Sequence, residues 1–257
     1  RTFEIDAGLA RRLKDLAGRE RVTPFMTLLA AFEVLLARYS GQDDFAVGVP
    51  VAGRTRPELE PLIGFFVNML PMRADLSGRP TFVELLARVR SRALDAYEHQ
   101  GLPFERLVAE LAPSRDAARN PLFQVSFAVH HAGGAAWRLP GLAVEPLDAP
   151  GSESAKFDLS LTLTDADGIL RGSLVGAAAR FDGSTLEHMA GHCRTLLASI
   201  ADDPDQRVGR LALVDARERA RLVGAASYPK APYPEGERIE RLFEAQAAAR
   251  PEAIAVA

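Results

Sequence analysis

"IGFFVNMLPMR", residues 63 to 73, is the stretch on which the reading of this sequence turns. Phe65, Phe66, Val67, Met69 and Leu70 suit a buried strand, and Asn68 among them does not. A buried carboxamide left without partners costs roughly 1–3 kcal/mol. Asn68 therefore either satisfies a local backbone bend before Pro71 or is aimed at something that binds. In a strand it shares a face with Phe66 and Leu70, a mixed surface suited to lining a narrow apolar passage. On these residues alone both readings stand.

Working outward, "DFAVGVPVAG" (44–53) is a valine-rich core strand, joined to the first stretch by the polar loop "GRTRPELEPL". Before it, Thr23-Pro24 supplies an N-cap and a first-turn proline for the helix "FMTLLAAFEVLLARY", apolar on most sides and so deeply buried. Asp6 caps an earlier helix carrying Leu9, Leu13 and Leu16. Thr81 caps a long amphipathic helix reaching about His99, and "GLPFERLVAELA" starts a shorter one. "LFQVSFAVH" (122–130) alternates as a strand. "FDLSLTLTDADGILRGSLVGAAARF" is a hairpin turning at Asp167-Gly168. Ser184 caps a helix to about Ile200, and a small helix surrounds Glu218. The proline-punctuated "SYPKAPYPEGE" reads as a linker before the helix "RIERLFEAQAAA". Strands interrupted by long helices give an α/β layered domain over about residues 1–225, and the hairpin makes its sheet mixed.

Composition excludes several classes of function. The apolar content of 47% and charged content of 25% are those of a folded globular chain rather than a disordered one. A net charge of −3 gives no general electrostatic basis for binding nucleic acid or an anionic membrane. Cys193, the only cysteine, allows neither an intrachain disulfide nor a cysteine-cluster metal site. No apolar run approaches the roughly 20 residues of a membrane span. The chain opens on Arg1 and closes inside "AIAVA", which reads as a cytoplasmic fragment of something longer.

The residues that suggest chemistry mostly lack its full pattern. His130 and His131 are adjacent at a strand end, where neighbours point to opposite faces. His188 and His192 have helical i, i+4 spacing, but Met189 stands where a zinc protease needs glutamate. "GSLVG" (172–176) has its serine one place too early for a nucleophile elbow. Asp43 and Asp44 stand at a turn and read as solvated. No glycine-rich phosphate loop follows a strand, and no metal site is expected.

Four blocks in order resemble the condensation domain of nonribosomal peptide synthetases, specifically its C-terminal lobe. "IGFFVNMLPMR" is similar to that family's Ile-Gly-x-Phe-Val-Asn-Thr-x-x-x-Arg block, ending at Arg73, with Met69 for threonine. "HQGLPFERLV" (99–108) resembles its His-Gln-Asp-x-Pro-Phe-Glu block, with Gly101 for aspartate and Pro103, Phe104 and Glu105 matching. "RDAARNPLFQVSF" (115–127) resembles its Arg-Asp-x-Ser-Arg-x-Pro-Leu-Phe block, with Ala118 for serine and Arg119 and Pro121 matching. Residues 23–54 resemble its helix, strand and Gly-Arg turn, closing on Arg54.

The resemblance implies a chloramphenicol acetyltransferase-like lobe over 1–225, a linker over 226–236 and the start of an adenylation domain over 237–257. It implies a tunnel between two lobes, entered from opposite ends by 4'-phosphopantetheine arms on donor and acceptor carrier proteins, where an amine attacks a thioester. No cofactor is expected on the chain itself. Asn68, Gly64 and Phe66 would line the acceptor side of the channel. Arg54, Arg73, Pro103, Phe104, Glu105, Arg119 and Pro121 would be structural. The family's catalytic His-His-x-x-x-Asp-Gly motif belongs to the N-terminal lobe and is missing here. His130-His131 cannot replace it, because Ala135 and Ala136 stand where Asp-Gly would be. The lobe alone is thus expected to be inactive, with the N-terminal lobe, both carriers and a downstream adenylation domain as partners. Two further readings are an epimerisation domain of the same fold, against which Phe65-Phe66-Val67-Asn68 argues, and a non-catalytic docking module.

Overall fold

In the computed structural model the described residues are 1–111, 120–131, 142, 155–166, 168–226, 238–252 and 254. A first compact unit spans Arg1–Asp215 and a second spans Ala216–Ala257. The first runs β1 (Thr2–Ile5), α1 (Ala7–Arg19), α2 (Pro24–Ser40), β2 (Asp44–Val51), a 3-10 turn (Pro57–Leu59), β3 (Asn68–Asp75), α3 (Phe82–Glu98) and α4 (Phe104–Leu111). It continues through β4 (Val125–His131), β5 (Leu159–Ala166), β6 (Ile169–Gly176) and α5 (Gly183–Asp202). The second unit holds α6 (Ala216–Ala226) and α7 (Ile239–Ala249).

The six strands form one sheet in the order β1-β6-β5-β4-β2-β3. The β2–β4 and β4–β5 pairs are parallel and the others antiparallel, so the sheet is mixed, as expected. Alternate residues build one apolar face: Ile5, Val47, Val49, Leu70, Met72, Phe127, Leu161 and Leu174 are all buried. Helices α1, α2, α3 and α5 supply the other side of this core. Each fully buried leucine contributes about 1.5–3 kcal/mol. The opposite face is more polar, with Ser126 Oγ donating to Ser160 Oγ at 2.8 Å.

The caps behave as their chemistry dictates. Asp6 accepts from the Gly8 and Leu9 N–H groups, and Thr23 accepts from Met26. Thr81 and Glu84 form a reciprocal capping box. Met26 through Leu36 of α2 are buried without a break.

Three expectations need correction. The strand expected from residue 63 begins at Asn68, and Ile63 and Phe65 stand 103% and 90% exposed in the preceding loop. The strand expected from Leu122 begins at Val125, because Leu122 adopts a left-handed φ of 67° that breaks the extended run. At the start of α5 the cap position is Asp182 rather than Ser184, which lies inside the first turn. The four-residue strand β1 has no counterpart among the expected elements. The Asp167 turn position, Arg119 and the linker residues 227–237 lie outside the described residues, though Gly168 has the φ of 87° that such a hairpin turn needs.

Candidate functional site

Asn68 opens β3 opposite Val51 and shares the core-side face with Leu70. Its Nδ2 donates to the carbonyls of Gln100 at 3.0 Å and Leu102 at 2.8 Å. Its Oδ1 accepts from the Phe104 N–H at 3.0 Å. Both amide hydrogens are thus engaged, and one lone pair of Oδ1 remains. The partners belong to the connection between α3 and α4, and Phe104 N–H is an orphan donor of the first turn of α4. Asn68 therefore caps α4 from a distant strand and fixes the chain reversal before it. Pro103, whose carbonyl accepts from Arg106 and Leu107, sets the start of that helix. Glu105 stands exposed in its first turn, where a negative charge suits the helix dipole.

The loop before Asn68 is held by Phe66, which is half-buried. The Arg54 guanidinium lies 4.3 Å from the Phe66 ring centroid, a cation–π contact, and also donates to the Leu59 carbonyl. Gly53 has φ 66°, and a Cβ there would sit 1.9 Å from the Phe66 carbonyl oxygen, so only glycine fits. A Cβ on Gly64 would meet the Phe66 ring edge at 3.0 Å. The Gly-Arg turn and the Ile-Gly-Phe-Phe block are thus in contact. Leu62, Ile63, Phe65 and Val67 stay exposed on the same loop.

The third block arrives through aromatic rings. Phe104 packs against Phe123 with centroids 5.2 Å apart, and Phe123 against Phe157 at 5.7 Å. Phe123 lies over Gly48 so closely that a Cβ there would be 2.1 Å from its ring. The Phe123 N–H donates to the Pro121 carbonyl at 2.8 Å, a tight reversal that places Leu122 at positive φ. Such a conformation costs of order 1–3 kcal/mol and persists where surrounding contacts enforce it. Asn120 Nδ2 donates to the Lys156 carbonyl and ties this reversal to the start of β5.

Other sequence candidates lie elsewhere. Arg73 makes a bidentate pair with Asp44, at 2.9 and 2.6 Å, which holds the Asp44 carboxyl below its usual range. Asp44 is thus paired rather than simply solvated. His130 is exposed opposite Thr164 in the sheet, and His131 pairs with Asp165 in register. His192 Nδ1 lies 2.6 Å from the Tyr39 hydroxyl, with the His188 ring 6.4 Å away. Among the described residues no three metal-ligating side chains cluster. Cys193 is buried, which pushes its thiol up to about 12 and leaves it inert.

Sequence reasoning missed Glu33. It is 1% exposed on α2, and its Oε2 has no hydrogen-bond partner among the described residues. Burial pushes its carboxyl up to about 8, with Arg92 pulling only partly the other way. The available signal was a lone carboxylate inside "AAFEVLL", a run that the helix buries on every side.

Comparison with known proteins places this geometry. The family profile described as "Condensation domain" matches residues 1–223. Chondramide synthase cmdD of Chondromyces crocatus is 44% identical over 254 residues, 99% of this chain and 6% of that protein. Tyrocidine synthase 2 of Brevibacillus parabrevis is 37% identical over 256 residues, 99% of this chain and 7% of that protein. The chain therefore spans only a small part of the curated relatives it matches. Among solved structures, the complex of the X-domain and OxyB from teicoplanin biosynthesis superposes with TM-score 0.75 and 31% identity, covering 84% of this chain and 48% of that one. The first condensation domain of the CDA synthetase gives TM-score 0.67 at 22% identity, covering 84% and 48%, and shows the fold alone.

Proposed function

The chain belongs to the condensation-domain family, and from that premise we propose that it serves as the C-terminal lobe of a domain forming amide bonds between carrier-borne thioesters and amines. The observation that carries this reading is the meeting of three sequence blocks around Asn68: the Phe66 loop, the reversal before Phe104 and the Phe123 reversal. The coverage of about half of the matched condensation-domain chains fits one lobe of two.

On this reading the boundaries are 1–225 for the lobe, 226–236 for the linker and 237–257 for the start of an adenylation domain. The partners are the N-terminal lobe, donor and acceptor carrier proteins bearing 4'-phosphopantetheine, and the adenylation domain, all cytoplasmic. No single helix among the described residues is long and apolar enough to cross a membrane.

The lobe's contribution is positioning. A thioester is already an activated acyl group, and holding two tethered reactants in line supplies much of the rate without a base. Asn68, Gly64 and Phe66 border the channel in this scheme. Because both Asn68 hydrogens are held by Gln100 and Leu102, its part is to fix the channel wall, leaving one Oδ1 lone pair toward an acceptor amide. Arg54, Pro103, Phe104, Glu105 and Pro121 hold that wall in place, and Arg73 braces β2 against β3 at their other end. The exposed Ile63, Phe65 and Val67 are the surface that the other lobe covers.

The test is a sedimentation titration of a separately produced N-terminal lobe into the chain, with amide hydrogen exchange at residues 62–67. A one-to-one complex that slows exchange there supports the reading, and two non-interacting species contradict it. A second reading, a docking module without catalysis, draws support from the related X-domain, which was solved in complex with OxyB. Carrier binding with no amide product once both lobes are present would select it.

A further inference from the structure

Away from Asn68, a cavity of about 830 Å³ lies between the C-terminal end of α2, the turn at 78–79 and the loop at 207–210. Val34, Leu76 and Val208 contribute apolar lining. Arg38, Arg79, Arg207 and Arg210 also line it, against the single carboxylate of Asp43.

Backbone structure gathers these charges. Thr81 bridges to Arg207, the Val208 N–H donates to the Pro80 carbonyl at 2.9 Å, and the Phe82 N–H to Gln206 at 3.1 Å. The Arg207 guanidinium donates to the Arg79 carbonyl at 2.8 Å, and that of Arg38 to the Leu211 carbonyl at 3.1 Å. Arg79 itself is held at φ 54°, a conformation that a long side chain rarely adopts. Some described arginines pair with carboxylates, Arg12, Arg73, Arg92 and Arg180 among them, and others such as Arg11, Arg56 and Arg90 do not. None of the four at the cavity forms an ion pair with a described carboxylate. Four like charges against one carboxylate repel one another, and a bound anion relieves that repulsion.

We propose that this cavity binds a phosphate ester, its phosphate among the guanidinium groups and its apolar body against Val34, Leu76 and Val208. A carboxylate is planar and is satisfied by one bidentate arginine. A phosphate offers three oxygens in a tetrahedral array, which suits guanidinium groups approaching from three separate segments. The apolar lining gives an ester an advantage over inorganic phosphate. The cavity volume falls within the roughly 300–1,000 Å³ typical of small-ligand sites. Nothing in this inference depends on the amide-forming reading.

The experiment is isothermal titration of the full 257-residue chain with phenyl phosphate, inorganic phosphate and tricarballylate at low and raised sodium chloride. Phenyl phosphate is expected to bind more tightly than the other two and to weaken with salt. Arg210→Gln removes a guanidinium that, unlike those of Arg38 and Arg207, ties down no backbone carbonyl among the described residues. It should lose affinity roughly 10-fold or more, the scale of one charge-assisted hydrogen bond. Arg79→Gly should lose affinity while its melting temperature holds or rises, because glycine accepts the positive φ that arginine resists. No binding of phenyl phosphate, equal binding of tricarballylate, or undiminished binding by both variants would each overturn the proposal.

Discussion

Replacing Glu33 with glutamine should remove a large part of the pH dependence of this fold's stability. The carboxyl rises from an ordinary 4.5 to about 8 in the folded chain, because burial disfavours its charged form. The folded pKa is the raised one, so this residue's contribution is fully present below pH 4.5. It is lost as the pH climbs toward 8, where the unfolded chain is already ionised, and levels off above that. With each pH unit worth about 1.4 kcal/mol, the loss between about pH 5 and pH 9 is about 4 kcal/mol. The group is almost wholly buried, so solvent screening takes little from that figure. Glutamine also changes absolute stability by an amount independent of pH, so the informative quantity is the difference in slope. Urea unfolding followed by circular dichroism at about pH 5, 7 and 9 measures it for both proteins. The wild-type chain should lose about 4 kcal/mol more than Glu33→Gln across that range. Parallel curves would mean that the fold does not hold Glu33 neutral. Glu33 bears on the site because α2 packs against α3, which leads into the connection whose carbonyls Asn68 holds.

Three further results are expected. Asn68→Ala removes three hydrogen bonds to half-exposed backbone and should cost about 1.5–3 kcal/mol in urea unfolding; Asn68→Asp should fare no better, since its carboxylate would face the Gln100 and Leu102 carbonyls. If Asn68→Asp is as stable as wild type, the latch is not what holds the α3–α4 connection. Gly48→Ala should displace the Phe123 ring and destabilise by about 1–3 kcal/mol, with altered aromatic circular dichroism, and an unchanged spectrum would contradict the Phe104–Phe123–Phe157 packing. Cys193 should resist iodoacetamide at about pH 8 in the native chain and take up one equivalent in denaturant, and rapid native labelling would disprove its burial.

The fold was legible wherever local chemistry and burial agree. Asp6, Thr23 and Thr81 announce their helices because a short polar side chain before an apolar-periodic run has a specific task there. The Asp-Gly turn likewise announces the β5–β6 hairpin, which rules out a purely parallel sheet. The reading failed where tertiary context overrides pattern. Ile63 to Val67 has the composition of a strand, yet this apolar segment is exposed as a loop held by Arg54 and Gly53, a contact made across sequence. The strand β1 is four residues long and gains its pairing from β6, more than 160 residues further along the chain, so no local signal marks it.

The site shows the same division. That Asn68 is anomalous follows from the sequence, and so does the backbone-bend alternative, but its partners lie 32 to 36 positions further on and only the fold identifies them. Arg38, Arg79, Arg207 and Arg210 carry no mark in sequence and become a cluster only through backbone bonds between the 79–82 and 206–208 segments.

On the proposed function, this chain positions the acceptor half of an amide-forming site that a second lobe completes. The most direct measurement is amide formation, read by mass spectrometry, with loaded donor and acceptor carrier proteins, with and without the N-terminal lobe. Acceptor-bound product is expected only when both lobes are present, with a reduced yield for Asn68→Ala. Product from this chain alone, or a full yield from Asn68→Ala in the paired lobes, would contradict the proposed function.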